Sequence, residues 1–357
     1  MTTTNKAGYP TRQLGKNGPF VSAIGFGAMG NWGAWYGSVE RKEVFEVLTA
    51  AADRGVTFWD TSDFYGTSEK ILGSWLAETG RRSEIFLATK FGVRDEWNPE
   101  TGKAPISDPE YIVRRLENSL KDLQTDYIDL YYQHRVDPTV PIEAVLEALR
   151  PAVEKGTVKW IGLSECSVAT LRRAKAVPGL GEKVIAAEME YSPFETSIES
   201  NGIVDACREL GVGIVAYSPL ARGLVTGRFR SRADFDAQDF RLHIPRFSEE
   251  NFPKNLALVD KFQEIAAKLN ATGAQVALAW ILAAHPDFFP IPGSSKVSRL
   301  EDNAKGGLLK LPQEDVKAIT EFVREASITG SRYPDEYLAT PGMSGDCIPL
   351  SEWKGQA

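Results

Sequence analysis

Short runs rich in β-branched residues alternate with longer helical patterns along this chain, and that alternation constrains the fold more than any other feature. Such alternation is typical of βαβ units around a parallel sheet. The strand candidates are residues 22–28, 57–61, 85–90, 128–134, 159–164, 184–190, 213–217 and 288–292. The helical patterns cover residues 41–54, 68–78, 109–123, 141–155, 168–176, 203–210, 254–269 and 297–304. Eight such units follow one another with no interruption that would divide the chain into two cores. This arrangement favours closure into a (β/α)₈ TIM barrel.

The 357 residues are predicted to form a single barrel domain, with its core at about 11–325 and a weakly periodic tail at 326–357. One connection, residues 218–253, is unusually long and rich in Arg, Asp and Phe. Long loops inside compact domains are commonly functional. We expect either a lid that closes over a bound polyanion or a static excursion whose charges pair among themselves.

Composition excludes several classes of partner. The formal net charge is −7 and no Lys/Arg-rich run occurs, which argues against nucleic acid and membrane surfaces. No apolar run approaches the ~20 residues that a membrane span needs.

The cysteines are far apart and odd in number, as expected in a reducing compartment; they are Cys166, Cys207 and Cys347. With a polar N-terminal segment, these features predict a cytoplasmic protein; the oligomeric state is left open.

Polar residues close three successive strand candidates. Asp60 ends the second, with Tyr65 a short turn later; Lys90 ends the third and His134 the fourth. Active sites of such barrels lie at the C-terminal ends of the strands. A free tyrosine has a pKa near ~10, and a nearby ammonium lowers that value. A carboxylate keeps the lysine charged, and an imidazole N–H can fix a carbonyl oxygen.

Each of these residues has a structural interpretation when it is taken alone. An aspartate at a strand end is commonly a turn residue, a lysine there is commonly exposed, and a histidine or tyrosine can be part of the core. Their joint occurrence at adjacent strand ends favours a proton-transfer site.

A metal site is not predicted, because His134, His243 and His285 show no ligand spacing. Cys166 is interpreted as a packed thiol. The glycines of GFGAMG spell GxGxxG, which alone is weak support for a Rossmann site; in a barrel we interpret it as a turn.

The ordered segments GFGAMG, WDTSDFYG, ATKFG, YYQHR, WIGLSE, EYSPF, YSPLARGLVTG and IPGSSKVSRLEDN resemble the aldo-keto reductases over residues 11–322. The similarity is greatest to the branch of aryl-alcohol dehydrogenases, pyridoxal reductases and auxin-induced-type reductases. The resemblance implies an NADP-dependent oxidoreductase of the alcohol dehydrogenase or carbonyl reductase type. It would reduce an aldehyde or ketone, with Tyr65 as general acid in a tetrad with Asp60, Lys90 and His134.

The resemblance also assigns cofactor contacts. Ser164, Glu165 and Glu188 fall where the family holds the nicotinamide carboxamide, and Tyr217 matches the aromatic that stacks on the nicotinamide. The remaining matches are Met29 in the first loop, the pyrophosphate loop (Ser218, Leu220, Arg222 and Gly223) and the adenosine-phosphate pocket (Gly293, Ser294, Lys296, Arg299, Asp302 and Asn303).

Two of these positions depart from the common Ser-Asn…Gln pattern, because glutamates stand at 165 and 188. An ionised carboxylate accepts from the carboxamide NH₂ but cannot donate to its oxygen. Either Ser164 supplies the donor or one glutamate is protonated.

Ser294, Lys296 and Arg299 place a hydroxyl and two cations at the start of a short helix, which favours NADPH over NADH. The alternative is a solvated charge cluster.

The substrate is expected to be a small-molecule carbonyl compound in an apolar pocket, for which aromatic aldehydes and pyridoxal are candidates. Trp32 is predicted to contact it together with Tyr65 and His134, while Trp35, Tyr36 and Trp97 are left open. A second hypothesis is a regulatory subunit of the ion-channel β-subunit type with vestigial activity, since such subunits retain the tetrad. A metal-dependent barrel hydrolase is disfavoured by the missing ligand set.

Overall fold

A computed structural model describes residues 2–29, 40–94 and 104–355. Eight parallel strands, β4 to β11, form one sheet in chain order. Their bounds are β4 Phe26–Gly27, β5 Phe58–Asp60, β6 Phe86–Phe91, β7 Ile128–Gln133, β8 Val158–Ser164, β9 Val184–Glu190, β10 Gly213–Tyr217 and β11 Phe288–Pro290. The predicted (β/α)₈ barrel is therefore confirmed.

The barrel closes between its first and last strands. The Gly25 N–H donates to Pro290 O at 2.9 Å, and Gly27 pairs in parallel with Gly293. A Cβ at position 27 would lie 2.6 Å from the Ile291 carbonyl oxygen, so only glycine allows this close approach. The glycines of GFGAMG that the structure describes thus form the barrel seam, whereas the sequence had suggested a turn.

Helices surround the barrel. They are α1 Arg41–Asp53, α2 Ser68–Thr79, α3 Pro109–Asp122, α4 Ile142–Lys155, α5 Val168–Ala176, α6 Ile203–Leu210, α7 Asn251–Lys268, α8 Gly273–Ala284, α9 Val297–Gly306, α10 Gln313–Glu325 and α11 Asp335–Leu338. The sequence patterns did not predict α8, α10 or α11. Helix α8 is almost entirely apolar and buried, so it has no amphipathic period to detect.

An antiparallel sheet precedes the barrel and was also not predicted. It consists of β1 Thr2–Thr4, β2 Pro10–Gln13 and β3 Phe20–Ser22. Leu14 and Val21 belong to the same buried cluster as the barrel-interior residues Phe58, Ala88 and Leu130. The antiparallel sheet therefore contributes to the barrel interior, while the N-terminal part of the predicted strand 22–28 belongs to β3.

The barrel interior needs a glycine on β8. A Cβ at position 162 would lie 2.3 Å from two ring carbons of Tyr132. Tyr132 is fully buried in the interior cluster with Ala186 and Val215. Gly162 thus makes room for this ring directly below the strand ends.

The C-terminal tail is ordered where the structure describes it, up to residue 355. The N–H of Ser167 and the hydroxyl of Thr170 donate to Gly345 O, at 3.0 and 2.7 Å, so the tail contacts the start of α5. Arg173 donates to Ile348 O at 2.8 Å. In the described part of the chain, no single helix meets the length and hydropathy of a membrane span; α7 and α8 do so only as a pair bent by 91°.

Candidate active site

Alternate residues of a strand point to the same face of the sheet. Residues two positions after those of the buried interior cluster therefore also face the barrel interior, one layer nearer to the C-terminal ends of the strands. Asp60 follows Phe58, Lys90 follows Ala88, and Glu188 follows Ala186 on β9. Strand β9 is not adjacent to β6, yet Lys90 Nζ lies 3.4 Å from Glu188 Oε1. The contact therefore crosses the barrel interior.

Lys90 is completely buried and held by three oxygens. Its Nζ contacts Asp60 Oδ1, donates to Thr61 O at 2.9 Å and faces Glu188. Burial alone would lower the pKa of Lys90, but its contacts with the Asp60 and Glu188 side chains raise it well above its ordinary value. Lys90 is thus a fixed ammonium in a buried site.

Tyr65 and His134 lie beside this ammonium. Lys90 Nζ is 5.1 Å from the centroid of the Tyr65 ring, and the Tyr65 and His134 rings meet edge to face with centroids 5.6 Å apart. The structure thus brings all four residues of the predicted tetrad together.

The pKa of Tyr65 differs from the sequence expectation. Burial raises it above its ordinary value, and the charge of Lys90 offsets that rise only in part. The phenol is therefore protonated at neutral pH, as a proton donor must be. Burial and the charges of Lys90 and Arg135 lower the pKa of His134 well below its ordinary value, so the imidazole is neutral.

Ser62 orients these side chains, and the sequence analysis did not single it out. Its hydroxyl lies 3.0 Å from His134 Nδ1 and accepts from the Phe64 N–H at 3.1 Å, inside the turn that leads to Tyr65. If Ser62 donates to Nδ1, the single proton of the neutral ring sits on Nε2 and is available to a substrate oxygen. A serine between strand end and tyrosine in WDTSDFYG is the signal that could have identified it.

The predicted carboxamide residues do not share one environment. Both oxygens of Glu165 accept from Arg332 in the tail, at 2.9 and 2.5 Å, and the Tyr217 hydroxyl donates to Glu165 Oε1 at 2.9 Å. Burial alone would raise the pKa of Glu165, but Arg332 and Arg135 lower it to about 2. Glu165 is therefore ionised and is not the protonated glutamate that the sequence left open.

Ser164 and Glu188 are neighbours across the β8–β9 pair. Ser164 Oγ and Glu188 Oε2 are buried, and within the described part of the chain neither has a hydrogen-bond partner. Two buried polar atoms with unused capacity are what a carboxamide would need at this point of the barrel.

Positive charge gathers at the predicted phosphate end. Burial, followed by the charges of Arg228 and Arg241, lowers the pKa of Arg299, and the Arg241 guanidinium is itself paired with Asp239. Lys296 is exposed at the start of α9. Ser294 Oγ donates to Lys296 O at 2.7 Å and fixes the turn after Gly293.

The remaining predicted cofactor residues lie on α9, after β4 and in the segment that follows β10. Asp302 accepts from Thr272 and Gln275, at 2.9 and 2.6 Å, so its carboxylate supports the start of α8. Asn303 is buried on α9, and Met29 is half-buried after β4. Ser218, Arg222 and Gly223 have positive φ values of 51°, 56° and 91°, which turn the chain sharply after β10, and Leu220 packs on the core between them.

The long loop is packed on the protein. Phe229 stacks on Phe235 with centroids 4.4 Å apart, and Phe247 is buried. Four of its arginines bond to protein groups: Arg230 to Asp260, Arg232 to Phe247 O, Arg241 to Asp239 and Arg246 to Glu195. These contacts are the ones that the static alternative describes, and closure over a bound cofactor stays a prediction.

The aromatic residues considered for the substrate pocket lie outside the described residues; they are Trp32, Trp35, Tyr36 and Trp97. A cavity of about 380 Å³ is lined by Glu165, Met189, Arg332 and Met343, and none of the tetrad residues lines it. Across residues 2–29, 40–94 and 104–355, no group of three or more His, Cys, Asp or Glu residues could hold a metal ion.

The fold and the site define a (β/α)₈ barrel protein with a buried Asp–Lys–Tyr–His cluster at its strand ends. Residues 23–324 match the aldo/keto reductase family, and the chain belongs to this family of oxidoreductases. The resemblance stated from the sequence is confirmed.

Relatives extend over nearly the whole chain. It is 47% identical to aldo-keto reductase str7 of Strobilurus tenacellus over 330 residues, 90% of this chain and 94% of the relative. It is 48% identical to aldo-keto reductase yakc [NADP(+)] of Schizosaccharomyces pombe over 344 residues, 94% and 98% of the two chains. The crystal structure of a thermostable aldo-keto reductase, Tm1743, with the inhibitor epalrestat superposes with a TM-score of 0.69 at 28% identity, covering 87% of this chain and 98% of that one.

Proposed function

We propose that this protein is an NADPH-dependent carbonyl reductase that converts an aldehyde or ketone to an alcohol, with Tyr65 as the general acid. One observation carries the proposal: a fully buried Lys90, in contact with Asp60, lies 5.1 Å from the Tyr65 ring centroid. A buried ammonium beside a buried phenol stabilises the phenolate that proton donation leaves behind.

The residues divide the chemistry between them. Bound NADPH supplies the hydride. Tyr65 gives its proton to the substrate oxygen, Lys90 stabilises the resulting phenolate, and Asp60 keeps Lys90 charged and in place. His134, neutral and oriented by Ser62, donates from Nε2 to the same oxygen as negative charge develops there.

Support for NADPH comes from the cation cluster and from a relative. The charges of Arg228 and Arg241 act on Arg299 at the phosphate end, where Arg299 could form charge-assisted hydrogen bonds with a polyanion. Ser164 and Glu188 have unused buried polar atoms where a carboxamide would bind. The relative yakc is named for NADP(+).

For substrate we propose aromatic aldehydes or pyridoxal, because aromatic residues of the first and third loops favour planar, apolar carbonyl compounds. We also propose a cytoplasmic location. The three cysteines are free, and burial raises the pKa of Cys166 and Cys207.

The test is an NADPH-consumption screen of the purified protein against 4-nitrobenzaldehyde, other aromatic aldehydes, pyridoxal, quinones and sugars, with the alcohol product quantified. Turnover at ordinary enzyme rates, ~1–10³ s⁻¹, supports a reductase. Tight NADPH binding without turnover on any carbonyl would instead support the regulatory-subunit alternative.

A further inference from the structure

A second buried carboxyl group faces the tetrad lysine. Glu188 Oε1 is 3.4 Å from Lys90 Nζ, which also contacts Asp60, and the Glu188 and Asp60 side chains are each 3% exposed. Lys90 is therefore shared between two carboxyl groups from different sides of the barrel.

The surroundings of Glu188 favour one retained proton. The titratable or charged groups that face it are Asp60 on β5, Lys90 on β6, Tyr132 on β7, Tyr65 after β5 and Arg135 after β7. Among the described residues, Lys90 is the cation that directly contacts both carboxyl groups. Two like charges buried against one ammonium do not both ionise at neutral pH.

The free oxygens of the two carboxyl groups point to the same conclusion. Asp60 Oδ2 and Glu188 Oε2 are both buried, and neither has a donor among the described residues. A side-chain hydrogen bond between the two groups would give both of these oxygens a partner. That bond exists only when one of them carries the proton, because two carboxylates are both acceptors.

We propose that Glu188 is a positioning residue that acts as a neutral carboxylic acid, bridging to Asp60, and that its ionisation at alkaline pH switches the tetrad to a less active state. Glu188 is assigned the proton because Asp60 makes the closer contact with Lys90. In agreement, burial and the charge of Asp60 raise the pKa of Glu188 to about 8.

Ionisation of Glu188 would act through Lys90. A second carboxylate on the ammonium weakens its stabilisation of the Tyr65 phenolate, so Tyr65 becomes a poorer acid. This consequence depends on the proposed reductase function, whereas the protonation of Glu188 itself does not.

The first measurement uses the protein without cofactor. Acid-minus-alkaline infrared difference spectra should show a protonated-carboxyl C=O band that is lost near pH 8. Glu188→Gln should remove part of this band. Glu69 is the matched control, because burial also raises its pKa to about 8 but it contacts Thr89 and not Lys90.

The second measurement is the pH profile of the reduction rate. In the wild-type protein and in Glu69→Gln we expect a fall of about tenfold as the pH rises through about 8. Glu188→Gln should lack that step. An unchanged infrared band in Glu188→Gln, or an unchanged step in its rate profile, would overturn the proposal.

Two further outcomes keep the test decisive. If Glu188→Gln does not fold, Asp60→Asn should shift the Glu188 band to lower pH, since the neighbouring negative charge is gone; a band that does not shift would overturn the proposal. If no carbonyl compound is reduced at any pH, the reductase function fails, and the infrared result alone still decides the state of Glu188.

Discussion

Arg332 donates to both carboxylate oxygens of Glu165, at 2.9 and 2.5 Å, and thereby ties the C-terminal tail to the end of β8. The same guanidinium lies 3.3 Å from Glu190 and 3.2 Å from the Tyr217 hydroxyl. One tail residue therefore holds two buried glutamates beside the predicted nicotinamide site.

Arg332→Ala should lower the free energy of unfolding by about 3–5 kcal/mol at neutral pH, because it removes the guanidinium that is ion-paired with the buried Glu165. The folded-state pKa of Glu165, about 2, lies below its ordinary value of 4.5. The stabilisation is therefore present above pH 4.5 and is lost as the pH falls towards about 2. Urea unfolding at several pH values checks this.

The control for this variant is Arg172→Ala, which breaks an exposed ion pair with Glu209 and should have no measurable effect. A pH-independent loss of stability in Arg332→Ala would show that the ion pair with Glu165 is not its cause.

Ser62→Ala should reduce kcat by about tenfold or more while changing KM little, because it removes the proposed donation from Ser62 to His134 Nδ1 that would place the ring proton on Nε2. Ser62→Thr keeps the hydroxyl and should retain most of the activity. Steady-state kinetics of both variants provide the measurement. Equal losses in the two would indicate that the turn, and not the hydrogen bond, matters.

Lys296→Ala combined with Arg299→Ala should weaken NADPH binding by ~1.5–3 kcal/mol for each lost contact and leave NADH binding nearly unchanged. Titration of the protein fluorescence with each cofactor gives both affinities. Lys305, exposed near the end of the same helix, is the control, and its replacement by Ala should change neither. If both cofactors weaken equally in the double variant, these cations do not bind the 2′-phosphate.

Gly162→Ala should destabilise the barrel by ~1–3 kcal/mol, because its Cβ would lie 2.3 Å from the Tyr132 ring. Thermal and urea unfolding measure the change. The loss should be smaller when Tyr132→Leu removes the ring, since contacting residues couple. A wild-type stability for Gly162→Ala would contradict the packing described for the interior.

The sequence could predict the tetrad because Asp60, Lys90 and His134 each close a strand pattern, and parallel strand ends meet at one face. It could not predict Arg332, which is 167 residues from Glu165 in a segment without periodicity. Strands of two to four residues, such as β3 and β4, are too short for a period, so the predicted strand 22–28 combined parts of both. The bonds made by the arginines of the long loop, residues 218–253, could not be predicted either, because they depend on tertiary contacts that composition does not specify.

The most direct test of the reductase assignment compares the wild-type protein with Tyr65→Phe in NADPH oxidation by 4-nitrobenzaldehyde, with NADPH affinity measured in parallel. We predict that the variant binds NADPH normally and loses ~10²–10⁴-fold in kcat, because only the proton donor is removed. Comparable turnover by the two proteins, with NADPH bound equally well, would contradict the role of Tyr65 as the general acid.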